Sequence, residues 1–184
     1  MLPRSCQHTA PLLGRATARI KNGFKYLFQL CQIAYIYVSN VAKKMIKYLA
    51  HINAPELKGV TNKTQLINSI RRRPLRKSGI LSISKKFGLS PTEIAQLMGV
   101  SIRTYHRQKG SSPVSIFASE IGIKLAELYE VGLTTFDRDE KALLTWFNSS
   151  IPAINNQVPL ELIKTTLGIE LVKDELVRIE HGVY

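Results

Sequence analysis

Acidic side chains are absent from the first 55 positions of this 184-residue chain, and Glu56 is the only one before residue 75. A stretch so one-sided in charge cannot pair with itself and attracts polyanions instead. Cysteine is almost missing as well: Cys6 and Cys31 are the only two, and residues 32–184 contain none. Neither has metal-ligand spacing with the four histidines. This excludes a disulfide framework and a zinc site of ordinary spacing, and it fits a reducing cytoplasm. There is no glycine-rich phosphate loop, no nucleophile elbow and no metal-spaced histidine pair. The chain is therefore not expected to be an enzyme or to carry a metal or cofactor. Asp137, Asp139 and Glu140 do cluster, but stabilisation of a helix start accounts for them.

Charge is distributed in blocks. Residues 1–74 hold 13 Lys or Arg and one acid, a balance of +12. Residues 75–109 hold seven bases and one acid, or +6, whereas residues 110–184 hold six bases and 11 acids, or −5. A basic half attracts phosphate through counterion release, and an acidic half suits a basic protein partner.

The first 50 residues read as a basic extension in which Pro3, Pro11 and Gly14 break any early helix. Residues 26–42 form a run of 17 without charge, diluted by Gln29, Gln32, Ser39 and Asn40. That is short for a membrane span, which needs about 20 apolar residues. Arg15, Arg19, Lys21 and Lys25 ahead of it would suit a signal peptide, but Ser39 to Ala42 makes a poor cleavage site. Translation from Met45 is favoured over a membrane tether, and a solvated or loosely helical arm stays open. Residues 51–74 read as a linker, punctuated by Asn53, Pro55, Gly59 and Asn62. The run Arg71, Arg72, Arg73 before Pro74 either grips backbone phosphates or is simply solvated.

From Leu75 the pattern turns to helices, and 75–132 reads as a helix-turn-helix domain. Ile80, Ile83 and Phe87 recur at spacings of three and four in a first helix that Gly88 ends. Ser90, Pro91 and Glu93 follow as an N-cap, first-turn proline and capping-box partner. Gly99 sits where a sharp turn needs φ > 0, Val100 anchors that turn, and Ser101 caps a second helix. The second helix is expected to carry Arg103, Thr104, Tyr105, His106, Arg107, Gln108 and Lys109, a set rich in phosphate and base-edge partners. Candidate DNA contacts are Ser101, Arg103, Thr104, Tyr105, Arg107, Gln108 and Lys109. An ordinary helical hairpin with a basic outer face would show the same composition, but caps, turn glycine and side-chain chemistry agree on duplex DNA.

The acidic half stays helical, so the fold class is all-α. Val114, Phe117, Ile121, Leu125 and Leu128 form an apolar stripe that Gly132 is expected to close, with Gly122 marking a close helix approach. Asp137 and Glu140 read as a capping box before Ala142–Phe147. Asn155 and Asn156 tolerate left-handed backbone in the loop before Pro159, which opens a helix that Gly168 ends. A last helix from Glu170 to about Glu180 buries Val172, Leu176 and Ile179.

Trp146, the turn before Pro159, Thr165 or Thr166, Gly168 and the run ELVRIEHGVY at 175–184 resemble the C-terminal domain of Xre/MbcA/ParS-type antitoxins. The stretch from Ser119-Glu120 to Leu125-Ala126 is similar to the central helix of that family, so the resemblance covers Leu75 to Tyr184. It departs where Asn155 and Asn156 replace glycine, and where Ile121 and Gly122 replace an arginine and a larger apolar residue. Lys124 keeps a positive charge there without the arginine fork. The resemblance implies an Xre-like helix-turn-helix bundle followed by a small helical toxin-binding domain at 133–184. It implies a cytoplasmic antitoxin of a type II toxin–antitoxin system that neutralises a RES-type, NAD-degrading toxin. Such a protein also binds the operator DNA of its own operon, as a homodimer or in a hetero-oligomer with the toxin. By the same resemblance Arg178, Glu180, His181, Val183 and Tyr184 would cover the toxin's active-site entrance. A tyrosine ring with a nearby carboxylate suits a nucleotide pocket holding an arginine, although Tyr184 packing back on the last helix is the plainer arrangement. A plain repressor whose acidic half only dimerises is the alternative function.

Overall fold

Asn62 begins a ten-residue helix because its side chain accepts a hydrogen bond from Gln65 N at 2.8 Å. The computed structural model describes residues 47–182. Residues 47–49 are helical, and a 3-10 turn at Pro55–Leu57 leads into α1 (Lys63–Arg72). Residues 51–74 are thus not a linker. Ile52, Leu57, Val60, Leu66 and Ile70 are all buried, and burial of that much apolar surface fastens the segment to the core. Gly59, at φ +85°, and Asn62 serve a turn and a cap within this packed segment. The expectations for residues 1–46, including Met45 and the run 26–42, lie outside the described residues. No described helix is long and apolar enough to cross a membrane.

Helix α2 (Lys77–Lys86) buries Ile80 and Ile83 and ends at Gly88, whose φ is +69°. The α3 helix (Pro91–Leu97) has both bonds of the capping box: Glu93 N donates to Ser90 Oγ at 3.3 Å, and Ser90 N donates to Glu93 Oε2 at 2.7 Å. Gly99, at φ +67°, makes the turn, and Ser101 caps α4 (Ile102–Arg107).

Next comes the long helix α5 (Ile116–Thr135), capped by Ser115 and buried along most of its length. It does not stop at Gly132, as its glycine suggested, but runs on three residues beyond it. A Cβ at Gly132 would run into Leu143, and one at Gly122 into Ile80, so both glycines admit a neighbouring helix rather than end one. Helix α5 therefore passes through the boundary expected at 132/133. It packs against α2 on one side and against the last helix on the other. Its end is made by Asp137 and Arg138, both in the left-handed region at φ +50° and +68°. That leaves Asp139, not Asp137, to cap α6 (Glu140–Phe147), where its side chain accepts from Ala142 N at 2.9 Å.

A loop closed by an antiparallel bridge between Ile151 and Gln157 places Asn155 and Asn156 at φ +57° and +56°, as their residue type predicts. The short α7 (Pro159–Leu162) leads to α8 (Thr166–Glu180). This last helix starts four residues earlier than expected. Thr165 is its cap, accepting from Gly168 N at 3.1 Å, and Gly168 therefore sits in its first turn instead of ending α7. Val172 and Leu176 are fully buried, whereas Ile179 is only half-buried. A Cβ on Gly168 would collide with the carbonyl oxygen of Leu162, a backbone atom that cannot rotate aside. Gly168→Ala should accordingly cost about 1–3 kcal/mol, read as a lower denaturant midpoint in chemical unfolding.

Candidate functional site

Helices α3 and α4 meet at the Gly99–Val100 turn, where Val100 N donates to Ala95 O at 3.0 Å. Because α4 has only six residues, one side must serve the core while the rest faces outward. Tyr105 is its buried residue. That burial removes Tyr105 from the expected set of DNA contacts and pushes its hydroxyl pKa up. The helix also ends at Arg107, so Gln108 and Lys109 lie beyond it. Gln108 is half-buried with its Oε1 enclosed, which leaves its side chain poorly placed to read a base. Ser101 is exposed, but its hydroxyl is engaged with Thr104, accepting from Thr104 N at 3.2 Å. Thr104 is half-buried, and Arg103, Arg107 and Lys109 are exposed. The outward cationic face of α4 is thus Arg103 and Arg107, extended by Lys109, and His106 is exposed as well.

What holds α4 in place was not visible in the sequence. Lys77 of α2 is buried, and its Nζ donates to the carbonyls of Tyr105 and Gln108, the latter at 3.0 Å. The same ammonium stands 3.9 Å from the centre of the Tyr105 ring. A cation at the C-terminal carbonyls of a helix satisfies groups that have no partner within the helix. Residues 75–78 also run antiparallel to 110–114, with Lys77 N donating to Ser112 O and Val114 N donating to Leu75 O, each at 2.9 Å. The segment leaving α4 is therefore tied to the start of α2.

The second expected surface is the end of α8. Arg178 is exposed and reaches the buried Glu175 at 3.3 Å; Glu180 and His181 are exposed. Val183 and Tyr184 lie outside the described residues. The structure also exposes two apolar residues nearer the start of α8: Leu167 and Leu171, four apart, are 78% and 47% exposed. With α8 expected to begin at Glu170, Leu167 fell in the wrong helix; Thr165 as an N-cap was the available signal. Lys124 does not point to solvent alone, since it pairs with Glu170 of α8 at 2.5 Å.

Two ion-pair groups join the surfaces to the frame. Glu130, buried in α5, binds the Arg138 guanidinium through both oxygens, at 2.8 and 2.6 Å, and accepts from His51 Nε2 at 2.9 Å. Burial pushes its carboxyl pKa up, but the Arg138 and His51 contacts outweigh that and hold it below the usual value. Glu93, the capping-box acid of α3, meets Lys164 at 2.7 Å, and Lys164 also meets Glu161 at 2.5 Å. The hydrogen bond from Lys164, followed by that from Ser90 N, lowers the Glu93 carboxyl pKa to about 2.

This pair makes a pH prediction. A carboxyl that titrates at about 2 when folded, against 4.5 ordinarily, contributes stability that is fully present above pH 4.5 and is lost as pH falls toward 2. Lys164→Met should destabilise the protein at neutral pH and narrow its difference from the unaltered chain across that window, read by thermal melts from pH 7 downward. An unchanged difference would remove the pair from the account of acid sensitivity.

Two family models match this chain. Residues 67–127 match the antitoxin Xre-like helix-turn-helix domain, and residues 132–182 match the antitoxin Xre/MbcA/ParS C-terminal toxin-binding domain. Comparison with curated proteins finds no match. The first model begins inside α1 and covers the Lys77 clamp and α4; the second begins inside α5 and covers Leu167, Leu171 and the end of α8. A DNA-binding helix-turn-helix and a toxin-binding domain in that order, sharing α5, make this chain a member of the Xre/MbcA/ParS-type antitoxins.

Proposed function

We propose that the protein neutralises a cognate RES-type, NAD-degrading toxin and represses the operon that encodes both. The observation that carries this reading is the ordered pair of domain matches on one chain. The charge division supports it, since the toxin-binding half is acidic and the helix-turn-helix half basic. In this reading Arg178, Glu180 and His181, followed by Val183 and Tyr184, cover the entrance of the toxin's active site. Leu167 and Leu171 supply apolar anchors on the same helix, the kind of residue that stable interfaces bury at their centres. Operator DNA is held by Arg103, Arg107 and Lys109, with the protein acting as a dimer or within a complex with the toxin in the cytoplasm.

Co-expression with the toxin encoded beside it should restore growth, and removal of Val183 and Tyr184 should abolish that rescue. Full rescue by the shortened protein would exclude the plug, and failure of the intact chain to rescue would favour a plain repressor. Arg103→Ala or Arg107→Ala should weaken operator binding by about 1–3 kcal/mol where the arginine reads a base edge. Lys109→Ala should lower affinity across sequences and flatten the salt slope by about 1. Mobility-shift or anisotropy titrations measure all three.

A further inference from the structure

We infer that Arg71, Arg72 and Arg73 form a second phosphate-binding site, which grips the backbone of duplex DNA beside α4. The inference rests on the helix-turn-helix acting on DNA and adds a site at the end of α1, apart from the α3–α4 pair. All three arginines are exposed, and among the described residues none has a carboxylate within ion-pair distance. The adjoining sequence is poor in acids as well. Residues 57–119 hold 12 Lys or Arg and a single acid, Glu93, which is held by Lys164. The nearest acid upstream, Glu56, is engaged by Arg76 at 2.7 Å. Glu120 of α5 follows Ser119, whose Oγ accepts from Leu75 N at 3.0 Å, so one exposed acid stands near the end of α1 against three arginines, and positive charge predominates there.

One cation at the C-terminus of α1 would be enough to complement its exposed carbonyls. Three consecutive guanidiniums exceed that need, and their forked geometry matches phosphate oxygens better than lysine does. Backbone geometry also fixes where the run ends. Pro74 restricts the residue before it, and Arg73 leaves the helix at φ −140°, ψ 89°, off the helical path. Immediately after Pro74 the chain is bonded to the segment that exits α4, through Val114 N to Leu75 O and Ser78 N to Gly110 O, both at 2.9 Å. The arginines are therefore anchored to the loop that follows the recognition helix. Contacts from such a position go to phosphates, so they set affinity and register and carry no sequence preference.

The test is a salt titration of the full chain on a random-sequence duplex and on a duplex of its own upstream region. Replacing all three arginines by glutamine should flatten the logarithmic salt slope by about 2 on both duplexes, so that the affinity lost between 50 and 200 mM salt shrinks roughly ten-fold. The triple arginine-to-lysine variant should keep most of the slope, and Lys141→Gln, which removes an exposed cation on α6, should leave it unchanged. An unchanged thermal midpoint in the glutamine variant shows that the loss is not unfolding. A slope equal to that of the unaltered chain, or a loss confined to one duplex, would overturn the site while leaving DNA binding standing. Absence of binding by the unaltered chain to either duplex would overturn both.

Discussion

Helix α5 is buried from two sides, and the two functional surfaces depend on that one packing arrangement. Its Gly122 receives Ile80 of α2 and its Gly132 receives Leu143 of α6, so neither neighbour can be moved outward without opening a cavity. Between those positions Tyr129 meets Phe87 edge-on at 5.6 Å, and Phe87 meets Phe147 in the same way at 5.1 Å. Phe87, just past the end of α2, therefore joins α5 to α6 through two edge-on contacts, and this cluster spans the junction of the two family matches. The DNA-binding and toxin-binding parts share a core and are not beads on a string.

Charged side chains act as connectors in this frame rather than as surface decoration. Lys77 fixes the end of α4 by occupying carbonyls that have no helical partner, and stacks its ammonium on a ring that α4 itself supplies. Glu130 holds the left-handed Arg138 at the end of α5 and reaches back to His51, which precedes both family matches. Glu93 and Lys164 tie the first helix of the DNA-binding pair to the turn that starts α8. Removing the partner of a buried charge leaves it uncompensated, which gives the contacts of Lys77 and Glu130 more weight than exposed pairs such as Lys124–Glu170.

Much of the helix-turn-helix was legible because its signals are local. Ser90, Glu93, Gly99 and Ser101 act over three or four residues, and each does in the structure what its residue type demands. Asn155 and Asn156 belong to the same class. The readings that failed concern glycines and polar residues whose meaning depends on what lies across from them. Gly132 and Gly168 looked like helix ends, yet one is a packing notch and the other sits in a first turn against a carbonyl. Asp137 looked like a cap, but the termination of α5 takes it into left-handed backbone. Tyr105 looked like a base reader, but a six-residue helix has to turn one large side chain inward.

By itself the sequence determined the helical class, the position of the DNA-binding pair, the division of charge and the family resemblance, because periodicity, caps and charge blocks are properties of neighbours along the chain. Only the tertiary structure decided that 51–74 is part of the core, that α5 is continuous, and that Leu167 and Leu171 stand free. It alone placed Lys77 under α4 and Lys164 against Glu93. Those outcomes follow from which surfaces meet, and contacts between residues 28 or 71 positions apart leave no periodic trace along the chain.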